Sequence, residues 1–200
     1  MSDMSLEQHD TSLETMQVIL EAQKRAYLAE GEVSYATRFD RLERAINVVR
    51  KNEKRFVEAM TADFGHRSEH QSLFTDIASS VTPLRHAQKH MKQWMKREKR
   101  KVTPALLGLF GAKAWVDYQP LGVVGVISPW NFPVNLTFAP LSGILSAGNR
   151  CMIKPSEYTP ATSAAIAEAI AEEFNSDEIA IVVGGPATGA GFSGLAFDHL

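Results

Sequence analysis

The 200-residue sequence lacks the features that mark secreted, membrane-spanning and cysteine-rich metal proteins. A single cysteine excludes an intrachain disulfide and a metal cluster held by several cysteines. No apolar run approaches the roughly 18 residues that a membrane-spanning helix needs, and residues 1–10 show no basic start followed by an apolar stretch, as a secretory signal would. With 44% hydrophobic residues and a formal net charge of -2, the composition is that of an ordinary globular protein. These features predict a cytoplasmic protein without a membrane partner.

Charged residues are concentrated in the first half of the chain. Residues 1–100 hold 17 Lys/Arg and 15 Asp/Glu, whereas residues 101–200 hold 4 and 8. A half that is poor in charge and rich in Gly and Val is typical of strands buried on both faces. The split therefore predicts solvated helices followed by a buried sheet.

Helical spacing of apolar residues dominates residues 1–100, which are expected to form a helical layer. The pattern predicts one helix over 12–28, a second over 39–64 that ends at Gly65, and a third over 72–97 that is interrupted near Pro83. The apolar stripe of the third helix consists of Leu84, Ala87, Met91, Trp94 and Met95.

After residue 100, short apolar runs replace the helical pattern. Residues 102–106 and 114–118 predict a pair of strands, which would form a β-arm within 101–119. From residue 120 to residue 200, runs at 122–128, 151–154 and 179–183 predict three further strands.

Two helix-length segments, 133–147 and 160–174, lie between the last three strands. In the second, Thr159 is suited to the N-cap and Pro160 to the first helical position. The alternation predicts a βαβαβ unit, and hence a parallel sheet with right-handed crossovers.

Residues 120–133, PLGVVGVISPWNFP, contain the clearest candidate site. A buried strand ends at Ser128, and the turn that follows has prolines at 129 and 133 on either side of Asn131. Ligands of open parallel sheets bind beyond the carboxyl ends of the strands, and the prolines restrict the directions in which the Asn131 amide can point. A fixed side-chain N–H is what stabilises an oxyanion when a carbonyl carbon becomes tetrahedral. The alternative is an ordinary Asx-type turn beside a buried Trp.

This turn, together with residues 148–160 (GNRCMIKPSEYTP), resembles two signature segments of the aldehyde dehydrogenase superfamily in order and spacing. The resemblance extends over 34–200. Within the superfamily, the chain is most similar to coniferyl aldehyde dehydrogenases. The stretches that carry this similarity are 63–70 (DFGHRSEH), 106–117 (LLGLFGAKAWVD) and 197–200 (FDHL).

The resemblance implies an α/β fold with N-terminal helices packed on a Rossmann-like parallel sheet and a protruding β-arm that serves oligomerisation. It implies a homodimer or homotetramer, and NAD-dependent oxidation of an aldehyde, aromatic and similar to coniferaldehyde, to the carboxylic acid. In such enzymes the nucleophilic cysteine, the general-base glutamate and the pyrophosphate loop all lie downstream of the position matched by Leu200. The 200 residues are therefore expected to lack the catalytic domain and to be inactive alone. The alternative is a catalytically inactive nucleotide-binding or structural fragment.

The resemblance implies roles for specific residues. Asn131 matches the asparagine that stabilises the oxyanion. Lys154 and Glu157 match the pair that holds the ribose hydroxyls of the adenosine, and Glu157 would repel a 2′-phosphate, which favours NAD over NADP. Outside this motif, an exposed ion pair would be the ordinary interpretation of Lys154 and Glu157. The other predicted cofactor-binding residues are Ile127, Ser128, Pro129, Trp130, Asn131, Pro155, Ser156, Gly184 and Gly185.

Four further features are given structural interpretations. Cys151 starts a buried strand with no base near it in sequence, and is expected to be structural. Residues 189–194 match G-x-G-x-x-G by coincidence, since the resemblance places them in a helix. The pairs His66/His70 and His86/His90 lack the Glu of a zinc motif, so no metal is predicted. The basic run 89–101 could bind nucleic acid, a membrane surface or another protein, but a solvated helix face is favoured and no nucleic-acid partner is predicted.

Overall fold

The structure, a computed structural model, describes residues 10–200, and its N-terminal half is helical. Ser12 and Ser34 cap the first two helices, because their hydroxyl oxygens accept hydrogen bonds from the N–H groups of Thr15 and Thr37 at 3.1 Å. Gly65 follows the third helix with φ 76°, a conformation that suits glycine. The helical segments are α1 (Leu13–Glu30), α2 (Tyr35–Lys51), α3 (Glu53–Phe64), α4 (Glu69–Ser72), the π-helical segment (Leu73–Ala78) and α5 (Ser79–Trp94).

The single helix predicted over 39–64 is wrong, because α2 and α3 are separate helices that meet at Asn52. The Asn52 side-chain amide donates to the Val48 carbonyl at 3.0 Å. Asparagine side chains compete in this way for backbone groups and favour helix ends. The helical spacing of apolar residues continues through such a break, so spacing alone does not reveal it.

The interruption predicted near Pro83 is also wrong, since Pro83 lies inside α5. Proline lacks an N–H and crowds the carbonyl four residues earlier, which here belongs to Ser79, the first residue of α5. The π-helical segment ends directly before this residue. The hydroxyls of Ser80 and Thr82 donate to the carbonyls of Asp76 and Ala78 at 2.5 and 3.0 Å.

The apolar stripe of α5 is confirmed for Leu84, Ala87 and Met91, which are buried. Trp94 is 47% exposed, and the prediction that it faces the core is wrong. Its ring stacks on that of His90 with centroids 6.1 Å apart, whereas Met95, the last residue of the stripe, packs against the core.

The C-terminal half combines short strands with helices. Its first strand lies at 98–100, not at the predicted 102–106, and pairs antiparallel with the next strand, with Lys99 opposite Trp115. Pro104 has no N–H for a strand ladder and precedes a short helix, which explains the error. The elements are β1 (Glu98–Arg100), α6 (Ala105–Leu109), β2 (Ala114–Val116), β3 (Val123–Ile127), α7 (Asn135–Phe138), α8 (Leu141–Ala147), β4 (Arg150–Lys154), α9 (Pro160–Glu173), β5 (Ile179–Ile181) and α10 (Pro186–Ser193).

Strands β3, β4 and β5 form a parallel sheet in that order, as the βαβαβ pattern predicts. Val124 lies beside Cys151, and Cys151 lies beside Ile179. On the free edge of β3, the Gly125 N–H donates to the His199 carbonyl at 2.8 Å. The helix predicted over 133–147 is divided into α7 and α8 just before Pro140, which becomes the N-cap of α8.

Helices cover both faces of this sheet, because alternate strand residues point to opposite sides. Val124, Cys151 and Ile153 pack in the larger core with α2, α3, α5, α8 and α9. Val123 and Met152 pack in the smaller core with α1 and α10. In α1, the fully buried Gln23 amide donates to the carbonyls of Cys151 and Ser176 at 2.8 and 2.9 Å.

A side chain from the helical layer caps α9. Thr159 stands at the N-cap, but its hydroxyl makes no capping bond and has no partner within the described residues. Instead, Asp63 of α3 accepts from the backbone N–H groups of Ala161 and Thr162 at 2.9 and 2.8 Å, and from the Thr162 hydroxyl at 2.6 Å. Thr159 and Pro160 thus occupy the predicted N-cap and first helical positions, but the capping hydrogen bonds are supplied across the interface by Asp63.

Replacing Asp63 with alanine is expected to lower the free energy of unfolding by about 1–2 kcal/mol, because it leaves the first N–H groups of α9 unpaired. Thr159→Val is the matched control, and it should be neutral or stabilising because it removes a buried hydroxyl without a partner. Urea denaturation of both variants measures the difference. Equal losses in the two would contradict the assignment of the cap to Asp63.

Candidate functional site

The carboxyl ends of the three parallel strands bring the predicted site segments to one edge of the sheet. β3 leads into Ser128 and the turn 129–133, whereas β4 ends at Lys154. Ile127 lies beside Lys154 in the strand register, and the Ser128 N–H donates to the Lys154 carbonyl at 3.1 Å. The Asn131 turn and the Lys154 segment are therefore neighbours, although 23 residues separate Asn131 from Lys154.

The turn between Pro129 and Pro133 is anchored at its start and exposed at its tip. Ser128 is buried, and its hydroxyl lies 2.9 Å from that of Thr137. Trp130 is 52% exposed, so the alternative of a buried Trp is wrong, and its ring lies 6.5 Å from that of Phe64. Asn131 is exposed, and within residues 10–200 its side-chain amide makes no hydrogen bond. The amide N–H is thus free to donate to a ligand.

Two residues behind this turn are not among those that the sequence predicts. The Arg67 guanidinium donates to the Asn131 backbone carbonyl at 2.9 Å and to an Asp76 carboxylate oxygen at 2.5 Å. The other Asp76 oxygen accepts from the N–H groups of Val134 and Asn135 at 3.1 and 3.2 Å. An acidic residue within an otherwise apolar helical stretch is the signal that could have indicated Asp76.

The pKa of the Asp76 carboxyl lies above its ordinary value because the group is buried. The Asn135 N–H, the Arg67 charge and the Val134 N–H act in the opposite direction and lower the pKa. These contacts supply the hydrogen bonds that a buried carboxylate requires.

Lys154 and Glu157 form a donor–acceptor pair at the end of β4. The Lys154 ammonium donates to a Glu157 carboxylate oxygen at 2.9 Å and to the Pro155 carbonyl at 3.1 Å. This hydrogen bond lowers the pKa of the Glu157 carboxyl. Only 3% of the Lys154 side chain is exposed, so the exposed ion pair of the alternative interpretation is wrong. Pro155 and Ser156 are buried between the two residues.

Gly184 and Gly185 follow β5 at the same edge. A Cβ on Gly184 would lie 2.2 Å from the Thr188 hydroxyl, and the φ of Gly184 is 151°. The chain itself thus explains the glycine at this position. The Gly185 N–H donates to the Asp10 carboxylate at 3.3 Å. Residues 189–194 fall largely within α10 and not in a strand-to-helix turn, as expected for a coincidental match.

Cys151 is fully buried in β4, between β3 and β5. Burial strongly raises the pKa of its thiol. A thiol without a base nearby and with a raised pKa is a poor nucleophile, so the structural interpretation of Cys151 is confirmed.

The remaining candidates are the histidine pairs and the basic run. The ring centroids of His86 and His90 lie 4.3 Å apart with the ring planes tilted by 33°, and no group of three or more possible metal ligands occurs in the described part of the chain. All seven Lys/Arg of the basic run 89–101 are exposed, and Arg97 pairs with Asp117 at 3.0 Å. Among residues 10–200, no helix has both the length and the apolar character needed to cross a bilayer.

Comparison with known proteins identifies the family. The sequence model of the aldehyde dehydrogenase family matches residues 3–194. The chain is 54% identical over 191 residues to a probable coniferyl aldehyde dehydrogenase of Caulobacter vibrioides, covering 96% of the chain and 39% of that relative. It is 46% identical over 201 residues to the coniferyl aldehyde dehydrogenase of a Pseudomonas species, covering 100% of the chain and 40% of that relative.

Structural comparison agrees. The fold matches the substrate-bound state of Staphylococcus aureus AldH with a TM-score of 0.84 and 28% sequence identity, covering 91% of the chain and 39% of that protein. The chain thus spans 39% and 40% of the length of the two relatives named above. Sequence and fold together show that the chain belongs to the aldehyde dehydrogenase family.

Proposed function

We propose that the chain contributes the NAD-binding part of an enzyme that oxidises an aromatic aldehyde, similar to coniferaldehyde, to its carboxylic acid. The observation that carries the proposal is the convergence of Asn131 with the Lys154–Glu157 pair at one sheet edge. Two relatives that share 54% and 46% of their aligned residues with the chain carry the name coniferyl aldehyde dehydrogenase.

The residues at the end of β4 suit the adenosine ribose of NAD. A vicinal diol needs a donor next to an acceptor, and Lys154 and Glu157 provide them 2.9 Å apart. The Glu157 carboxylate would repel the 2′-phosphate of NADP, which favours NAD. When bound, NAD supplies the hydride acceptor of the reaction. The other residues proposed to line the cofactor are Ile127, Ser128, Pro129, Trp130, Asn131, Pro155, Ser156, Gly184 and Gly185.

Asn131 is proposed as the residue of this chain that takes part in the chemical step. Its side-chain N–H would donate to the aldehyde oxygen as attack by a thiolate makes the carbonyl carbon tetrahedral. Because Cys151 is buried, we assign the nucleophile, and with it the general base, to residues outside these 200.

A groove beside the turn fits an aromatic substrate. Phe74 is 78% exposed at its rim, and Phe132 and Asn135 come from the turn and from α7. An apolar wall favours a ring over a charged chain. The lining residues are Phe74, Thr75, Ala78, Ser79, Thr82, Pro83, Phe132 and Asn135.

The paired strands β1 and β2, with α6 between them, are proposed as an oligomerisation arm in a homodimer or homotetramer. This arm separates the helical layer from the βαβαβ unit and begins at Glu98, three residues before the predicted boundary. Contiguous exposed apolar residues are typical of association surfaces. Those of this region are Leu106, Leu107, Leu109, Phe110, Trp115 and Tyr118. A cytoplasmic location stays a prediction from the sequence.

The proposal is tested with the protein expressed from its complete gene. Coniferaldehyde and NAD should yield NADH and the corresponding acid, detected by absorbance and chromatography, and NADP should be a poorer acceptor. An aliphatic aldehyde of similar size is the substrate control. NAD binding without turnover would overturn the proposal in favour of an inactive nucleotide-binding protein.

A further inference from the structure

The first three residues of the turn that carries Asn131 are not held in place by burial. Pro129, Trp130 and Asn131 are all exposed. The two prolines limit the backbone angles within the turn, but they do not fix its direction relative to the sheet. Contacts with other parts of the fold must therefore do so.

Arg67 holds the middle of the turn. Its guanidinium donates to the Asn131 carbonyl at 2.9 Å and lies 4.8 Å from the centre of the Phe64 ring and 5.5 Å from that of Phe132. Only 6% of the Arg67 side chain is exposed. The guanidinium is thus fixed between two rings, and the peptide of Asn131 is fixed against it.

Asp76 connects this arginine to the end of the turn. One carboxylate oxygen accepts from Arg67 and the other from the backbone N–H groups of Val134 and Asn135, just before and at the start of α7. The two oxygens thus hold Asn131 in the middle of the turn, through Arg67, and the two residues directly after the second proline. A displacement of Asp76 would move the middle and the end of the turn together.

The location of the Asp76 carboxylate indicates a role other than stabilising the fold. Replacing a buried ion pair by apolar side chains of similar volume is often neutral or stabilising, so such a pair is a poor device for stability alone. Asp76 also lies in the π-helical segment, and π turns occur frequently at functional sites. Two hydrogen bonds of Asp76 and one of Arg67 end on the backbone of residues 134, 135 and 131.

We infer that Arg67 and Asp76 are positioning residues that hold the Asn131 amide in the direction needed to stabilise the oxyanion. This inference rests on the proposed function. Oxyanion donors act only when they lie within hydrogen-bond distance of the position that the charged oxygen takes, and a displacement of about 1 Å can cost 100-fold in rate.

The kinetic test uses Asp76→Asn in the protein expressed from its complete gene. We expect kcat for aldehyde oxidation to fall about 10- to 100-fold, with a much smaller change in the KM for NAD, because the ribose pair on β4 is not disturbed and only the cofactor-lining residues of the turn are. Arg67→Lys should have a similar effect, because one ammonium cannot bond to Asn131 and Asp76 with the fork geometry of a guanidinium. This second variant also serves if Asp76→Asn does not fold.

A direct test of the turn uses Trp130 as a reporter and does not require activity. The 200 residues contain three Trp. In the protein expressed from its complete gene, Trp94→Phe, Trp115→Phe and the replacement by Phe of any Trp outside these residues leave Trp130 as the one Trp, which is excited selectively at the red edge of its absorption band. Acrylamide quenching of Trp130 should increase in Asp76→Asn and in Arg67→Lys, because the turn loses its anchor. Asp76→Glu, which keeps the carboxylate, should recover part of the wild-type quenching and of kcat.

Arg41→Gln is the matched control. Arg41 is another buried arginine, with 5% of its side chain exposed, and pairs with Glu30 and Glu178 at 2.8 and 2.9 Å. Its loss should destabilise the protein but leave Trp130 quenching and kcat at wild-type values.

The outcomes separate this inference from the proposed function. The positioning role would be overturned if Asp76→Asn and Arg67→Lys both kept wild-type quenching and kcat. It would also be overturned if Arg41→Gln changed quenching and kcat by as much as those two variants do. If the wild-type protein oxidises no aldehyde, the proposed function fails. The quenching series then still decides whether the pair holds the turn.

Discussion

Replacing Asn131 with alanine should lower kcat for aldehyde oxidation by about 100- to 1,000-fold, the range found when one oxyanion donor is removed. The KM for NAD should stay nearly unchanged, because the ribose pair Lys154–Glu157 is on the neighbouring strand and makes no contact with the Asn131 amide. The fold should also survive, since Asn131 is exposed and its amide makes no hydrogen bond among residues 10–200. Steady-state kinetics with varied NAD and aldehyde measure both quantities.

Two further variants sharpen this test. Asn131→Asp keeps the shape of the side chain but replaces the donor by a negatively charged acceptor, so its kcat should fall at least as far. Asn175→Ala removes an exposed asparagine at the other end of the sheet and should leave kcat unchanged. Parallel losses of kcat and NAD affinity in Asn131→Ala would count against an oxyanion role.

Replacing Glu178 with glutamine is expected to lower the free energy of unfolding at pH 7 by about 3 kcal/mol, the lower end of the range for breaking a buried ion pair. Glu178 precedes β5, and its carboxylate accepts from Arg41 at 2.9 Å and from Arg44 at 2.8 Å. Only 16% of its side chain is exposed. The loss is limited because Arg41 keeps Glu30 and Arg44 keeps Asp40 as partners.

The same group makes stability depend on pH. Burial alone would raise the pKa of Glu178, but hydrogen bonds from Arg44 and Arg41 lower it to about 2. A lowered pKa means that the stabilisation is complete above the ordinary pKa of 4.5 and is lost as the pH falls towards 2. Stability of the wild type should thus decline more steeply than that of Glu178→Gln over this interval.

Urea denaturation at several pH values measures this difference between the two proteins. Glu168→Gln is the control, because the Glu168 side chain is 67% exposed and exposed ion pairs contribute little. Identical pH profiles for the wild type and Glu178→Gln would show that the arginines do not act on this carboxyl in the folded state.

The sequence predicts those parts of the fold that depend on periodicity and on rigid residues. Runs of apolar residues indicate β3 and β4 because both faces of these strands are covered, and the prolines at 129 and 133 indicate the turn that carries Asn131. The roles of Asp63, Arg67 and Asp76 could not be predicted, because the backbone groups that they contact lie 55 or more residues away in sequence. The sequence gives the identity of a charged residue, but it does not indicate which backbone groups its side chain will contact in the fold.

Errors in the helices have a similar origin. Helix ends depend on local competition for carbonyl groups, as at Asn52, which periodicity does not detect. The side of a helix that becomes buried depends on its neighbours, so Trp94 satisfies the spacing of the stripe and still faces solvent.

The buried amide of Gln23 in α1 constrains how the protein folds during its synthesis. Its two acceptors, the carbonyls of Cys151 and Ser176, follow it by 128 and 153 residues. At about 5–20 residues per second, the ribosome needs on the order of 8–30 s to deliver them. Until β3 and β4 have been synthesised, the apolar face of α1, with Met16 and Leu20, has no sheet to cover. We therefore expect this apolar face to stay exposed on the nascent chain until the strands that cover it have been made.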